Sequence, residues 1–428
     1  MEKMKNSGIE WKRIKIKYNG DFWNGLTYSP QDLCDEGEGT LVLRSSNIKN
    51  GKMAFDDNVY VKCPIEPKSI IKKNDILICS RNGSKELIGK NAIFEEDEKM
   101  AFGAFMMIYR CNNPKYMYFV LNSDIFKENI GLFSTSTVNQ LTGSVFGNIR
   151  FPLPPPETQK RIADFLDEKC VKIDGLKNDI QKQIETLEQY KKSVITEAVT
   201  KGINPNAKMK DSGSKWMPLI PEHWNMDKLK YNLTVHEIKG YGDKEVLSLY
   251  RELGIVPKNS RDDNHNVTSE DTSKYKYVRK GDFVINKMKA WQGSVAVSDY
   301  EGIVSPAYCV YEFITENYDK RYFHHLMRNK ILADEFRRIS GGIREGQWDL
   351  DREQFENMYL PVPPKSEQIA IADFIDSRYG NIEKSVELKK HQLEKLEEYK
   401  KSLIFEYVTG KREVSCEFPS ETSGKKEV

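Results

Sequence analysis

No stretch of this chain approaches the ~20 consecutive apolar residues that cross a bilayer, and its N-terminal run MEKMKNSGIEWKRIK holds no apolar signal core. A cytoplasmic protein with no membrane partner is expected. Cysteine is sparse as well: there are seven in 428 residues, with no Cys-x-x-Cys pair. An odd, scattered set fits reduced thiols and argues against a disulfide framework or a zinc site. Charge of one sign is missing too, since 66 basic and 64 acidic side chains nearly cancel. A nucleic-acid partner therefore has to be argued from local patches, such as Lys12, Arg13, Lys15 and Lys17, and not from the whole.

Motifs of catalysis are also lacking. No Asn/Asp-Pro-Pro-aromatic run of an adenine amino-methyltransferase occurs, and Asn204-Pro205 continues into Asn206 as a linker turn. The segment GSKELIGKN at 83–91 has its glycines one residue too far apart for a phosphate loop, and Asn91 stands where Ser or Thr is needed. It reads as a strand connector. His324-His325 has no third ligand at a metal-binding interval, and no Gly-x-Ser-x-Gly elbow is present. No catalytic residue, metal site or bound cofactor is expected in this chain.

What is present is a repeat. FPLPPPETQKRIADFLD at 151–167 returns as LPVPPKSEQIAIADFID at 360–376, and LEQYKKSVITEAVT at 187–200 returns as LEEYKKSLIFEYVT at 396–409. About 22 of roughly 51 aligned positions are identical, at a spacing far too long for a solenoid. The order is variable, shared, variable, shared. Accordingly the chain divides into a domain at 1–150, a shared segment at 151–206, a second domain at 207–359, a second shared segment at 360–410 and a tail at 411–428. The tail is rich in Lys, Glu and Ser and is expected to be disordered.

In each shared segment prolines forbid helix and then stop at a polar step, after which neither copy has proline for some ~40 residues, a rod of ~60 Å at 1.5 Å per residue. Ser366 reads as the N-cap of the second rod. Leu166, Ile173, Leu176, Ile180, Leu187, Tyr190 and Val194 follow the three-and-four spacing of a coiled-coil seam, and the second copy keeps Ile375, Ile382, Leu396, Tyr399 and Leu403. Its middle is weaker, with Ser385, Lys389 and Gln392 in seam places, so its register shifts there toward Val386 and Leu393. Symmetry makes the two helices each other's partner. The fold expected is α+β: two mixed α/β domains at opposite ends of an antiparallel coiled coil, pseudo-two-fold symmetric.

The variable regions, roughly 9–150 and 216–359, show strand-like alternation broken by Gly, Asn and Asp. Both place a Lys-x-Asp or Lys-Gly-Asp turn before an apolar strand, so Asp75 and Asp282 read as turn residues. Their loops differ. In the first, Arg44, Ser46, Asn47 and Lys49 follow TLVL, Arg81, Asn82, Ser84 and Lys85 follow ILIC, and Asn139 and Gln140 sit in a late polar loop. The matching places in the second hold Tyr250 and Arg251, then Lys287, Lys289, Trp291 and Gln292, then Arg344 and Gln347. Arg, Lys, Asn and Gln can make bidentate contacts to purine edges, while Lys, Ser and Thr serve phosphates. As a set these residues form the candidate DNA-binding surface.

The duplicated proline step with IADFLD or IADFID, the closing LEQYKKS or LEEYKKS, the IPEHW phrase at 220–224 and LRSSNIKNGK at 43–52 together resemble the specificity subunit of type I restriction-modification systems. The resemblance covers nearly the whole chain. It implies target-recognition domains that each read half of a split double-stranded DNA target, on a helical spacer that docks two modification (methyltransferase) subunits and, in some systems, two restriction (translocase/nuclease) subunits. S-adenosylmethionine, ATP and Mg would then belong to those partners. The lysine-rich opening of the first domain lacks the Pro-Glu-His-Trp phrase. Two other readings stay open at this stage: a non-catalytic tandem-domain scaffold that does not bind DNA, and a fused methyltransferase-specificity enzyme.

Overall fold

The computed structural model describes residues 11–133, 139–251, 253–260, 271–342 and 348–414. The chain folds as two compact units, one made of Met1–Ile180 with His391–Val428 and the other of Gln181–Lys390. The shared helices are thus not domains of their own. Each gives one part to each unit.

In the first unit β1 (Arg13–Lys15), β2 (Gly20–Asn24), β3 (Thr40–Leu43), β4 (Ile76–Cys79), β5 (Asn91–Ile93) and β6 (Met106–Cys111) precede helix α1 (Pro114–Leu121), strand β7 (Arg150–Pro152) and the first long helix α2 (Pro156–Lys201). Strand order in the main sheet is β2-β6-β4-β5, all antiparallel. The second unit repeats the plan with β8 (Asn225–Lys228), β9 (Leu233–His236), β10 (Leu247–Tyr250), β11 (Phe283–Asn286), β12 (Val295–Val297), β13 (Tyr308–Phe313), α3 (Lys320–Met327), β14 (Tyr359–Val362) and the second long helix α4 (Lys365–Val408). There the order is β9-β13-β11-β12, again antiparallel. Each domain is closed by pairing its first strand with its proline-step strand, β1 with β7 and β8 with β14. The second carries an added hairpin of Met209–Asp211 with Leu219–Pro221.

The central strands are buried at every position, ILIC in one unit and FVIN in the other, so they do not alternate in polarity. The reason is that both faces of each sheet are covered. Ile76 and Ile78 face a core with Tyr116, Met117, Leu166, Ile173, Leu403 and Tyr407, while Leu77 and Cys79 face a second core with Leu43, Ile48, Phe94 and Phe102. Phe283 and Ile285 likewise join Trp224, Tyr322, Val199 and Ile371, and Val284 joins Leu247, Leu249 and Val304. One face of each sheet holds the long helices. The other carries the loops after β3 and β10.

Both long helices start from proline steps by the same device. Gln159 donates its side-chain amide to the Pro154 carbonyl and Gln368 donates to the Pro363 carbonyl, each at 2.8 Å. Pro156 occupies the first helical turn, where a missing N–H costs nothing. Ser366, expected as N-cap, lies within the first turn of α4, and the Pro364 carbonyl accepts from Glu367 N and Gln368 N. The side chain of Glu367 accepts from Trp224 Nε1 at 3.1 Å and meets His223 Nε2 at 2.7 Å, which gives the IPEHW phrase its place. At the far helix ends the pattern repeats once more. Tyr116 on α1 donates to the Val408 carbonyl, and Tyr322 on α3 donates to the Val199 carbonyl.

Within each unit the two helix parts run in opposite directions. Asp174 pairs with Lys400 at 2.7 Å, Lys177 pairs with Glu397, and the Phe165 and Tyr407 rings pack tilted with centres 4.6 Å apart in the first unit. In the second, Lys191 pairs with Glu383 at 3.2 Å and lies 3.6 Å from the Tyr379 ring centre, and Lys389 meets Gln183. Leu166, Ile173, Ile375, Ile382 and Leu403 are buried seam residues, and Ile180, Leu187, Val194 and Leu396 are partly buried. Three expected seam residues are not: Leu176, Tyr190 and Tyr399 are 54%, 51% and 54% exposed. The second seam series falls one residue later, on Cys170, Lys177, Ile184 and Lys191, and on Tyr379, Val386, Leu393 and Lys400. Lysine fits there because its stem packs on apolar neighbours while the ammonium reaches a carboxylate. The shift expected toward Val386 and Leu393 agrees with the buried Val386 and the partly buried Leu393.

This register separates two neighbouring substitutions. Tyr190→Ala should change unfolding free energy by no more than about 0.5 kcal/mol, whereas Lys191→Glu, which sets an acid against Glu383, should lower it by about 1–3 kcal/mol in urea denaturation. Equal effects would return position 190 to the seam.

Candidate nucleic-acid interface

Three loops of the first unit meet at one cleft of about 1030 Å³. Arg44 and Ser46 come from the end of β3, Arg81 and Asn82 from the end of β4, and Asn139 from the late loop. Backbone pairing forces them together: Arg81 N donates to the Phe105 carbonyl, Asn82 N to the Asn139 carbonyl, and Leu141 N to the Ser80 carbonyl. The sequence candidates are thus brought to one place across nearly a hundred residues. Asn82 Nδ2 donates to Ser45 Oγ at 3.1 Å, and Asn139 Nδ2 to the Gly83 carbonyl at 3.0 Å. Lys90 Nζ ties the floor by donating to the Ser45 carbonyl, so GSKELIGKN is the connector between β4 and β5.

Arg81 is exposed and its guanidinium lies 5.0 Å from the Phe105 ring centre, a cation–π contact. Phe105 is 58% exposed, and Tyr28 and Thr27 line the same cleft. Sequence reading missed these three. The signal available was positional: 103–105 stands immediately before β6 as 305–307 stands before β13. Gln140 is exposed beside Arg81, to which its backbone is bridged. Ser84 and Lys85 are exposed at a 3-10 turn after the cleft loop, outside its lining.

Asn47 departs from its expected role. It is fully buried, its Oδ1 accepts from Arg44 N, and its Nδ2 donates to the Ala54 and Asp57 carbonyls and to Asn58 Oδ1. A side chain so engaged shapes the loop and cannot reach a ligand. Arg44 pairs with Asp57 at 3.0 Å and Lys49 pairs with Asp56, whose carboxyl the Lys49 ammonium holds below the usual range.

In the second unit the candidates separate. Lys289 lines a depression of about 290 Å³ with Ser248, Tyr275, Asn286, Ser305 and Tyr308, at the place matching the first cleft. Trp291 instead packs on Trp348 at 5.3 Å and donates to the Met288 carbonyl, while Lys287 pairs with Asp349 at 3.1 Å. Gln292 is partly buried in the same 3-10 turn. Tyr250 is partly buried at the end of β10, and the carbonyl of exposed Arg251 accepts from Arg328 at 2.6 Å. Gly254 follows with φ of +76°, where a Cβ would stand 3.2 Å from Arg328 and 3.3 Å from Ala296. Arg344 and Gln347 lie outside the described residues, as do 415–428 of the tail.

Asp75 and Asp282 are buried turn residues, accepting from Lys72 N and Arg279 N, and each also grips a side chain: Arg110 in a fork at 2.7 Å, His236 at 3.0 Å. His325 meets Asp376 at 2.9 Å, and burial together with Arg328 holds the neighbouring His324 down to about 3. Among the described residues no group of three or more His, Cys, Asp or Glu could hold a metal, and no helix is long and apolar enough to cross a membrane.

The profile of the family described as "Type I restriction modification DNA specificity domain" matches residues 9–186 and 232–398. The MjaVIII type I restriction enzyme specificity subunit of Methanocaldococcus jannaschii is 25% identical over 428 residues, covering 94% of this chain and 93% of that protein. The EcoKI specificity subunit of Escherichia coli is 24% identical over 291 residues, 65% of this chain, and the match spans 59% of that subunit's length. Among solved structures, a chain from a type I R-M system studied for complex assembly and conformational transition aligns over 95% of this chain and 99% of its own, with a TM-score of 0.68 and 14% identity. The HsdS subunit of Thermoanaerobacter tengcongensis aligns over 94% and 97%, with a TM-score of 0.51 and 14% identity. At that identity the likeness is one of fold.

The internal bonds of Asn47 set an expected outcome. Asn47→Ala leaves buried backbone groups unpaired and should lower stability by about 1–3 kcal/mol, whereas Lys85→Ala should stay within about 0.5 kcal/mol; urea denaturation of the two variants checks the contrast.

Proposed function

The chain belongs to the type I restriction modification DNA specificity family, and on that footing we propose that it is a non-catalytic DNA-recognition subunit, each unit reading one half of a split duplex target. The observation that carries this reading is the contrast between frame and loops. Tyr116 with Val408 and Tyr322 with Val199, and Gln159 and Gln368 on their proline steps, build two like frames. The loops they present differ: a cleft with Arg81 on Phe105 in one, Lys289, Trp291 and Tyr250 in the other. Like frames with unlike loops suit two readers of unlike half-sites.

In this reading the two long helices form an antiparallel, pseudo-two-fold coiled coil that holds the readers at its opposite ends. Half-sites on one face of a duplex lie about one helical turn apart, ~34–36 Å or 10–10.5 base pairs, and helices of 46 and 44 residues are long enough to set that distance. The shared surface docks two methyltransferase subunits, which bring S-adenosylmethionine, and restriction subunits bring ATP and Mg where a system has them. Base-edge contacts fall to Arg81, Asn82, Asn139 and Gln140 in the first unit and to Tyr250, Arg251, Lys289 and Gln292 in the second. Arg44, Lys49, Ser84, Lys85 and Lys287 serve phosphates. The work takes place in the cytoplasm.

Co-expression with a modification subunit, followed by single-molecule sequencing for N6-methyladenine, should yield a split motif; absence of any modified motif would favour a scaffold that does not bind DNA. Exchange of residues 9–150 for the matching domain of another family member should change one half-site and leave the other. Insertion of a short helical stretch in one rod should change the gap and leave both half-sites. Arg81→Ala should cost about 1–3 kcal/mol and relax one position if Arg81 reads guanine, and weaken all targets alike with a shallower salt dependence if it holds phosphate.

A further inference from the structure

The nearly cancelling charges of this chain recur at the scale of the first cleft. Two cationic candidates that follow β3, Arg44 in the cleft lining and Lys49 outside it, each face a carboxylate, and those carboxylates are neighbours, Asp57 and Asp56. Their placement is built in. Buried Asn47 donates to the Ala54 and Asp57 carbonyls and to Asn58 Oδ1, and accepts from Arg44 N, so one amide fixes the acidic segment opposite the basic one.

The pairing is poor as an end state. Arg44 meets Asp57 through Nη2 alone, and its Nε is buried without a hydrogen-bond partner, so the fork that a guanidinium can offer an oxyanion is unused. The four side chains are 36–63% exposed. Ion pairs in such surroundings are weak and exchange readily. Arg44 and Asp57 both line the cleft, whereas exposed Arg81 has no acidic partner among the described residues.

We infer that Asp56 and Asp57 stand in for DNA phosphates in the unbound chain, holding Arg44 and Lys49 until a matching duplex displaces them, and so act as specificity-determining residues of the first unit. This rests on the reading of that unit as a DNA reader. A duplex of the wrong sequence exchanges one set of oxyanions for another and meets two negative charges, gaining little. A matching duplex adds bonds to base edges that outweigh the exchange. The discrimination comes from a repulsive element beside the attractive one.

The test uses the full chain co-expressed with its modification subunit, and fluorescent duplexes carrying either the target defined by methylation sequencing or a scrambled sequence. Asp56→Asn with Asp57→Asn should tighten binding of the scrambled duplex by about tenfold at low salt, fading as salt rises, and tighten the target less, so that discrimination narrows. Asp57→Glu should keep wild-type discrimination. Asp97→Asn, which removes one carboxylate at the Lys73 pair outside the cleft lining, should leave scrambled binding unchanged. Unchanged scrambled binding in the double variant, or an equal rise in Asp97→Asn, overturns the inference while the reader assignment stands. A wild-type complex that cannot tell target from scrambled duplex overturns the reader assignment and the inference with it.

Discussion

The Tyr116 hydroxyl donates to the carbonyl of Val408, 292 residues away, and Tyr322 does the same to Val199. These bonds join a recognition domain to the end of the helix that belongs to the other copy. Carbonyls in the last turn of a helix lack partners within it, and buried ones must find a donor elsewhere. A tyrosine on the first helix of each domain supplies it. Each domain also holds the start of its own following helix through a buried glutamine on the proline step. From these two anchors it follows that a unit consists of one domain, the start of one long helix and the end of the other.

A frame fixed at both helix ends leaves the opposite sheet face free to carry variable chemistry. The central strands send alternate side chains into two cores. Changes in the loops beyond the second core therefore do not reach the helix contacts. This separation explains how one plan holds an arginine-bearing cleft in one unit and a lysine and paired tryptophans in the other. It also explains why positions 191 and 400 carry lysine inside the seam: their partners Glu383 and Asp174 oppose them across the helices, and polar seam residues fix register at a cost in stability.

Charge follows the same economy. A surface that must meet a polyanion is expected to be basic, yet Arg44, Lys49 and Lys287 each have an acid within the same unit. Near-neutral composition is therefore compatible with DNA reading, because local cations are present but held.

The sequence by itself determined the duplication, the division into shared and variable parts, the proline-to-helix steps, one heptad series of the first rod and the two ends of that series in the second, and the loops that carry unlike polar residues. These are written in local spacing, which proline chemistry and helix periodicity translate directly. The second heptad series was legible only at Val386 and Leu393 and not in the first rod, because a tyrosine at 190 looks a better seam residue than a lysine at 191 until Glu383 and Tyr379 are placed opposite it. Nor was the burial of Asn47, whose partners lie seven to eleven residues on. Tertiary structure alone decided that three loops share one cleft, that Phe105 backs Arg81, that Asp56 and Asp57 face the cations, and that each domain grips the far helix. All of these depend on contacts between distant segments, which the packing of the sheets sets and which no local pattern encodes.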